Sequence, residues 1–405
     1  MQALNDTIFS FDSLSLIGIA AFSIAILFLG ISGEVHQQRK TKTIFTALLF
    51  SLLFFILLIS AKDLLIILLT GVGLGLSNGL LLPYYLRNRS SAELIMKYSI
   101  FTLLWFLLMV ASIIFAYTDT HSLTLSALNT THPFSQISLF CLFVALGLWL
   151  GVAPFYAYTV DCTDNKFMHL SIAFIARTLS SSILFYRCIN AIDLNEAPLF
   201  ISNILIVFIM VSLLVTAIRS GDQVNVLRAG IYLMLSLPLL AAAFLLLNKD
   251  NSENLKIFAL LGCLCAFAIP ATVGILAYWR AENESLSWEE FGGCGRKYPL
   301  LGACFIFVTG TIAGLPGSMG FILRLHLMQR AFAQGKLLIV AVVGLSLIIG
   351  ATTVIKFAIF LFAKPANYQM LRWHHSPQPR GMIAAVMMLA IMNIYYYTAF
   401  LSNIF

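Results

Sequence analysis

Long apolar blocks of roughly 20 residues alternate with short polar connections, and each block is long enough to cross a ~30 Å hydrocarbon layer. Twelve blocks fall at about 14–32, 42–61, 63–86, 96–117, 135–159, 169–189, 197–218, 228–247, 255–278, 299–333, 337–363 and 381–404. The pattern predicts an all-α, polytopic membrane protein of about 12 transmembrane helices, with residues 1–405 forming a single integral membrane domain. The leader before the first block carries Asp6 and Asp12 and no Lys or Arg. That is the reverse of a signal peptide's basic start, so the first block reads as a retained span.

Two blocks are interrupted. The fifth contains LGLWLGVAPFYAYTVD, with Gly147, Gly151 and Pro154, and the tenth contains GTIAGLPGSMGFILRLH, with Gly314, Pro316 and Gly317. Proline removes a backbone donor and glycine costs about 1 kcal/mol against alanine in a helix. Breaks five blocks apart predict two inverted five-helix repeats, 42–189 and 197–363, followed by a C-terminal helix at 381–405. Discontinuous helices at equivalent places in two halves mark an ion or substrate site in a transporter.

Composition agrees with the membrane reading. Hydrophobic residues make up 60% of the 405 and charged residues 10%, where a soluble domain carries about 25%. The net charge of +7 therefore speaks to topology and not to a nucleic-acid partner. Fifteen Lys and Arg fall in odd-numbered connections and six in even-numbered ones, which puts the odd side in the cytoplasm and both termini outside an inner (plasma) membrane.

The remaining three basic residues lie inside blocks: Arg177, Arg324 and Lys356. An arginine or lysine at mid-helix costs about 2.5–3.5 kcal/mol to insert and so usually marks an ion path. No block has a central Asp or Glu to neutralise them. His326, two residues past Arg324, adds a titratable group. A metal site is not expected, because no cysteine pair has C-x-x-C spacing and His374-His375 have no Cys or carboxylate close by. No phosphate-binding or dinucleotide motif is present, so the chain carries no nucleotide cofactor and no soluble type of enzyme activity. Gly71, Gly75 and Gly79 form a small-residue face for close helix approach. Tyr395, Tyr396 and Tyr397 read as an interfacial belt. Glu282, Glu284, Glu289 and Glu290 beside Trp288 read as a solvated loop or a contact for a peripheral subunit.

Taken together, TGTIAGLPGSMGFILRLHLMQRA (309–331), VAPFYAYTVD (152–161), FSFDSLSLI (9–17) and AKDLLIILLTGVGLGLSNGLL (61–81) resemble, in order, the antiporter-like proton-channel membrane subunits of respiratory complex I and Mrp-type cation/proton antiporters. The resemblance implies a fourteen-helix family core of which these blocks match the third to the fourteenth. It also implies a proton- or cation-conducting subunit of a larger energy-converting or ion-coupled transport complex, including NADH:quinone oxidoreductase-like and inorganic-carbon transport complexes. Partners would be other membrane subunits and a peripheral cytoplasmic subunit, and no catalysis is expected from the chain alone. Where the family carries a Glu on the helix of the third block, this chain has Val72, and where it carries a Lys in the first broken helix, Trp149. A Lys or His on the next helix gives way to Ile175 or Leu179, near Arg177. Arg324 stands where the family has its channel-exit Lys or Glu. The expected path uses the breaks, Arg324, His326, Lys356, Arg177 and water; the alternative is a scaffold that keeps the fold and no longer pumps. The Gly314–Gly317 break is expected to open carbonyls into a polar cavity that Arg324 faces, while Leu323 and Leu325 point elsewhere.

The charge bias is tested by thiol labelling. An Ala3→Cys chain should react with an impermeant reagent from outside the cell, and Arg296→Cys only from inside; the reverse pattern would overturn the orientation.

Overall fold

A computed structural model describes residues 12–31, 41–81, 89–125, 133–152, 155–156, 160, 170–191, 199–248, 251–279, 287–364 and 380–402. Helices occupy the apolar blocks: α1 (Ser13–Ile31), α2 (Thr41–Ser60), α3 (Leu64–Leu81), α4 (Arg89–Thr120), α5 (Pro133–Leu150), α6 (Leu170–Ala191), α7 (Leu199–Asp222) and α8 (Val226–Leu247). Next, α9 (Asn251–Cys263) passes through a π-helical turn (Leu264–Ala268) into α10 (Ile269–Trp279). Two one-turn helices, α11 (Trp288–Phe291) and α12 (Cys294–Lys297), lead into α13 (Pro299–Ala313) and α14 (Met319–Ala333). The last elements are α15 (Leu337–Ala358), with a π-turn at Ile359–Ala363, and α16 (Arg380–Ser402).

Six helical stretches among the described residues are long and apolar enough to cross a membrane, and shorter apolar helices accompany them. Among the described residues there is no strand, only the isolated bridges Asp63–Thr124 and Asn225–Ser287. The fold is all-helical and membrane-embedded.

Burial separates posts from perimeter. About 94% of the apolar window of α8 is buried, against 22% for α4. A helix apolar all round belongs inside a bundle, and α8 accordingly packs on α7, α14, α6, α13 and α9. Peripheral helices turn Leu103, Leu107, Ile348 and Ile391 outward, the surface that hydrocarbon requires. In α9–α10 the π-turn lies just before Pro270, which has no N–H to continue the ladder; the wider turn absorbs that loss.

Pairing of α3 with α4 follows from the glycine face. A Cβ on Gly71 would lie 2.2 Å from the Trp105 ring, one on Gly75 2.9 Å from Thr102, and one on Gly79 3.3 Å from Tyr98. The Tyr98 hydroxyl also donates to the Gly75 carbonyl at 2.8 Å. At one end of the bundle Arg187 of α6 clamps three segments. It donates to the Ala61 carbonyl at 3.0 Å and the Ser15 hydroxyl at 2.9 Å, and pairs with Asp12 at 3.3 Å.

Candidate functional site

The interruption in the tenth block is a fully built turn. α13 stops because Gly314 adopts φ +84, the left-handed conformation that glycine takes without cost. Leu315 N–H donates back to the Gly310 carbonyl at 2.9 Å and Gly314 N–H to the Thr311 carbonyl at 3.3 Å, a Schellman end. Leu315, Pro316, Gly317 and Ser318 then form a type II turn: Ser318 N–H closes on the Leu315 carbonyl at 3.2 Å, proline holds the second position, and Gly317 supplies φ +86 at the third. Ser318 caps α14, its hydroxyl accepting from Phe321 N–H at 3.3 Å. Each half-helix has 15 residues, so the break falls at the midpoint of the span.

Arg324 lies buried across this break. Its Nη1 donates to the Ile312 carbonyl on α13 and to the Gly320 carbonyl on α14, both at 3.1 Å, and Nη2 donates to the Ser236 hydroxyl of α8 at 3.3 Å. The cation thus sits on the carbonyl end of α13, where the helix dipole favours positive charge. Nε is buried and has no partner among the described residues. No carboxylate among the described residues pairs with Arg324. Gly314 is its seat: a Cβ there would lie 2.5 Å from Nη1. Asn393 of α16 joins the two halves from the other side, its Oδ1 accepting from Met319 N–H at 2.8 Å and its Nδ2 donating to the Thr311 hydroxyl at 3.3 Å.

These contacts correct the expected open cavity. The Ile312 carbonyl is taken up by Arg324 and the break is closed on its inner side. Leu323, next to Arg324 on α14, is buried in the apolar core. Outwardly the turn is bare: Pro316 and Gly317 are exposed, and the Pro316 carbonyl and Gly317 N–H have no partner among the described residues.

The first interrupted block ends in the same way as far as it is described. Gly151 has φ +77 and Val152 N–H donates to the Gly147 carbonyl at 2.9 Å, repeating the relation of Gly314, Leu315 and Gly310. Pro154 lies outside the described residues. Beside this end, Trp149 stacks on Trp105 with centroids 4.3 Å apart and planes 16° from parallel. Val72 packs against the apolar core, and Ile175 and Leu179 are buried in it. Arg177, also buried, lies 5.3 Å over the Tyr98 ring. Around it, Asn78, Tyr98, Phe101, Thr102 and Trp149 line a cavity of about 10 Å³, the room for about one water.

The other sequence candidates take separate places. Lys356 Nζ donates to the Gly221 carbonyl at the end of α7 at 2.8 Å and lies 4.3 Å over the Trp288 ring. His326 is half-buried with its ring edge-on to Phe400, in the charged surroundings of Glu253, Lys256 and Arg330, of which Arg330 and Glu253 form an ion pair. Glu289 is exposed, as the solvated reading of the acidic run expects, and beside it stands Trp288. The tryptophan is buried, stacks on Phe357 and donates to the Gln223 carbonyl at 2.6 Å, because α11 packs on the π-turn that ends α15. Glu282, Glu284, His374 and His375 lie outside the described residues. Sequence reasoning missed Asn393 and Ser236. The signals were an asparagine alone in an apolar helix and a serine two residues before Pro238.

Two alanine substitutions separate the seat from the turn. Both Gly314→Ala and Gly317→Ala impose left-handed strain of about 1–2 kcal/mol, but only a Cβ at 314 meets the guanidinium, since nothing lies within 4 Å at 317. Thermal unfolding of the purified chain in detergent should therefore show Gly314→Ala as the more destabilised by about 1–3 kcal/mol, the cost of disturbing buried hydrogen bonds. Equal losses would show that the Arg324 contacts add nothing.

Comparison with known proteins now bears on this geometry. A family model described as NADH:quinone oxidoreductase/Mrp antiporter, transmembrane, matches residues 61–350. NADH-quinone oxidoreductase subunit N 2 of Thermodesulfovibrio yellowstonii is 26% identical over 356 residues, covering 86% of this chain and 75% of that protein. A chain of respiratory complex I from Thermus thermophilus with bound aureothin superposes with a TM-score of 0.75 at 21% identity, covering 95% of this chain and 84% of that one. A chain of the Mrp complex from Dietzia sp. DQ12-45-1b gives 0.81 at 13% identity, covering 96% and 82%. These structural likenesses establish a shared fold, and the family match over more than half of the sequence establishes kinship: the chain belongs to the NADH:quinone oxidoreductase/Mrp antiporter transmembrane family.

Proposed function

We propose that this chain is an antiporter-like subunit of a larger energy-converting membrane complex and conducts a proton or cation through its second helical bundle. The observation that carries the reading is the interrupted helix at mid-span, closed inside by a buried arginine and bare outside. Irregular backbone at membrane depth is tolerated only where protein or water covers it, because each unpaired group costs several kcal/mol in lipid. The exposed Pro316–Gly317 turn therefore calls for a neighbouring subunit or a water-filled crevice. The family relation favours the subunit, since relatives come from assemblies named complex I and Mrp complex. A scaffold without transport finds no support in these relatives.

Arg324 cannot release its proton and acts as a fixed charge. Its Nε, buried and without a partner among the described residues, is the donor left for a water. Two further candidates stand apart from the arginine: Lys356, on the Gly221 carbonyl and the Trp288 ring, and His326, edge-on to Phe400. The path we infer runs from Lys356 by water past Arg324 to His326 and the Glu253–Arg330 pair. Arg177 serves the first bundle as a second fixed charge. Of the two bundles, the first has a tryptophan stack where the family has a titratable lysine, so it contributes no second relay of its own. The orientation with both termini outside an inner membrane belongs to the same proposal.

Arg324 substitutions test the role in the assembled complex, with ion flux measured in membrane vesicles and assembly checked by native electrophoresis. Arg324→Lys keeps a charge and donors for the two carbonyls and should retain assembly and part of the flux. Arg324→Leu should lower the flux by at least about tenfold, the equivalent of ~1.4 kcal/mol, or abolish assembly. Unchanged flux and assembly in Arg324→Leu would refute the site.

A further inference from the structure

We infer that Asn393 is a positioning residue for ion movement through the second bundle, the latch that holds the two halves of the interrupted helix in register. This rests on the reading of the second bundle as the conducting one. Asn393 is the buried polar side chain of α16 among the described residues, set between Met392 and Ile394. An amide buried without partners is costly, and this one is used from both ends. Its oxygen takes Met319 N–H, one of the donors that the first turn of α14 cannot satisfy within itself. Its nitrogen reaches the hydroxyl of Thr311, in the last turn of α13. Thr311 in turn donates to the Phe307 carbonyl at 2.9 Å, so the amide grips α13 through a side chain already fixed to that helix.

The two grips on the break differ in kind. Arg324 ties α14 to the carbonyl end of α13 from within the broken helix, and Ser236 steadies it from α8. Asn393 comes from a separate helix, more than 70 residues further along the chain. A shift of α16 relative to α14 would therefore break the Met319 and Thr311 contacts together, while the contacts of Arg324 with Ile312 and Gly320 lie wholly within the broken helix. The half-helix that carries Arg324 and His326 would then turn about the Pro316–Gly317 hinge, moving the fixed charge relative to the Ser236 hydroxyl on α8. Asn393 thus sets where Arg324 stands and does not itself touch the ion.

Three variants in the assembled complex test this: Asn393→Ala, which removes both contacts; Asn393→Gln, the conservative change; and Asn393→Asp, which keeps the acceptor for Met319 N–H and adds a titratable charge. Hydrogen exchange followed by mass spectrometry over 309–322 reads the latch, and ion flux in vesicles across pH reads its consequence. Asn393→Ala should exchange about tenfold faster at this segment, as expected when a buried N–H loses its acceptor, and should lose flux by about the same factor while still assembling. Asn393→Asp should assemble, hold slow exchange, and bring a new pH dependence of flux that a merely structural residue would not produce. Asn393→Gln should restore part of both. Slow exchange in Asn393→Ala, or normal flux despite fast exchange, would overturn the inference. If Asn393→Ala fails to assemble, a wild-type pH profile in Asn393→Asp would overturn it equally. Absence of flux in the wild-type complex would defeat the conducting function, while the exchange result still decides whether the latch exists.

Discussion

A backbone N–H or C=O without a partner in hydrocarbon costs several kcal/mol, and that cost governs how this chain can interrupt a helix. The break between α13 and α14 is the place where the rule bears hardest. Four devices meet it: a Schellman end at Gly314, a type II turn through Pro316 and Gly317, the Ser318 cap, and the Asn393 amide on Met319 N–H. Among the groups these leave is the Ile312 carbonyl, and Arg324 takes it. The arginine's presence in a lipid-embedded bundle follows from this. Its charge rests against the carbonyl end of a 15-residue helix, and two carbonyls and a hydroxyl replace much of the water it gave up.

The two interrupted blocks share a device and differ in chemistry. Gly147–Gly151–Val152 and Gly310–Gly314–Leu315 end their helices by the same hydrogen-bond pattern. Around the first, Trp149, Tyr98 and Asn78 leave room for about one water beside Arg177. Around the second, a fixed charge, an unpartnered N–H, an asparagine and a serine converge on a hinge. On the proposed reading, charge placement belongs to the second interrupted block. Two of the positive charges inside the apolar blocks are held without a carboxylate among the described residues. Arg324 is held by backbone, Lys356 by the end of α7 and an indole face.

Much of this was legible in the residues. Block length alone located the helices, since a bilayer fixes how many apolar residues a span needs. Gly71, Gly75 and Gly79 correctly marked a close helix approach, because four-residue spacing puts them on one face. The pair of interruptions and Arg324 stood out for being expensive in lipid. What could not be read was which atoms would meet across the break. Asn393 and Ser236 come from helices distant in sequence, and one polar residue in an apolar helix does not say what it faces. Trp288 did not stand out as an anchor for a related reason: its burial depends on α15 and its π-turn. Openness was misjudged, since sequence shows that a helix stops but not that a side chain five residues into the next helix folds back to cap it.

Electron cryomicroscopy of the chain within its assembled complex, at a resolution that reveals ordered water, tests the central claim most directly. The account predicts the Arg324 guanidinium on the Ile312 and Gly320 carbonyls, an ordered water on its Nε, and protein or water covering Pro316 and Gly317. An Arg324 paired with a carboxylate of a neighbouring subunit, or a Pro316–Gly317 turn open to lipid, would contradict it.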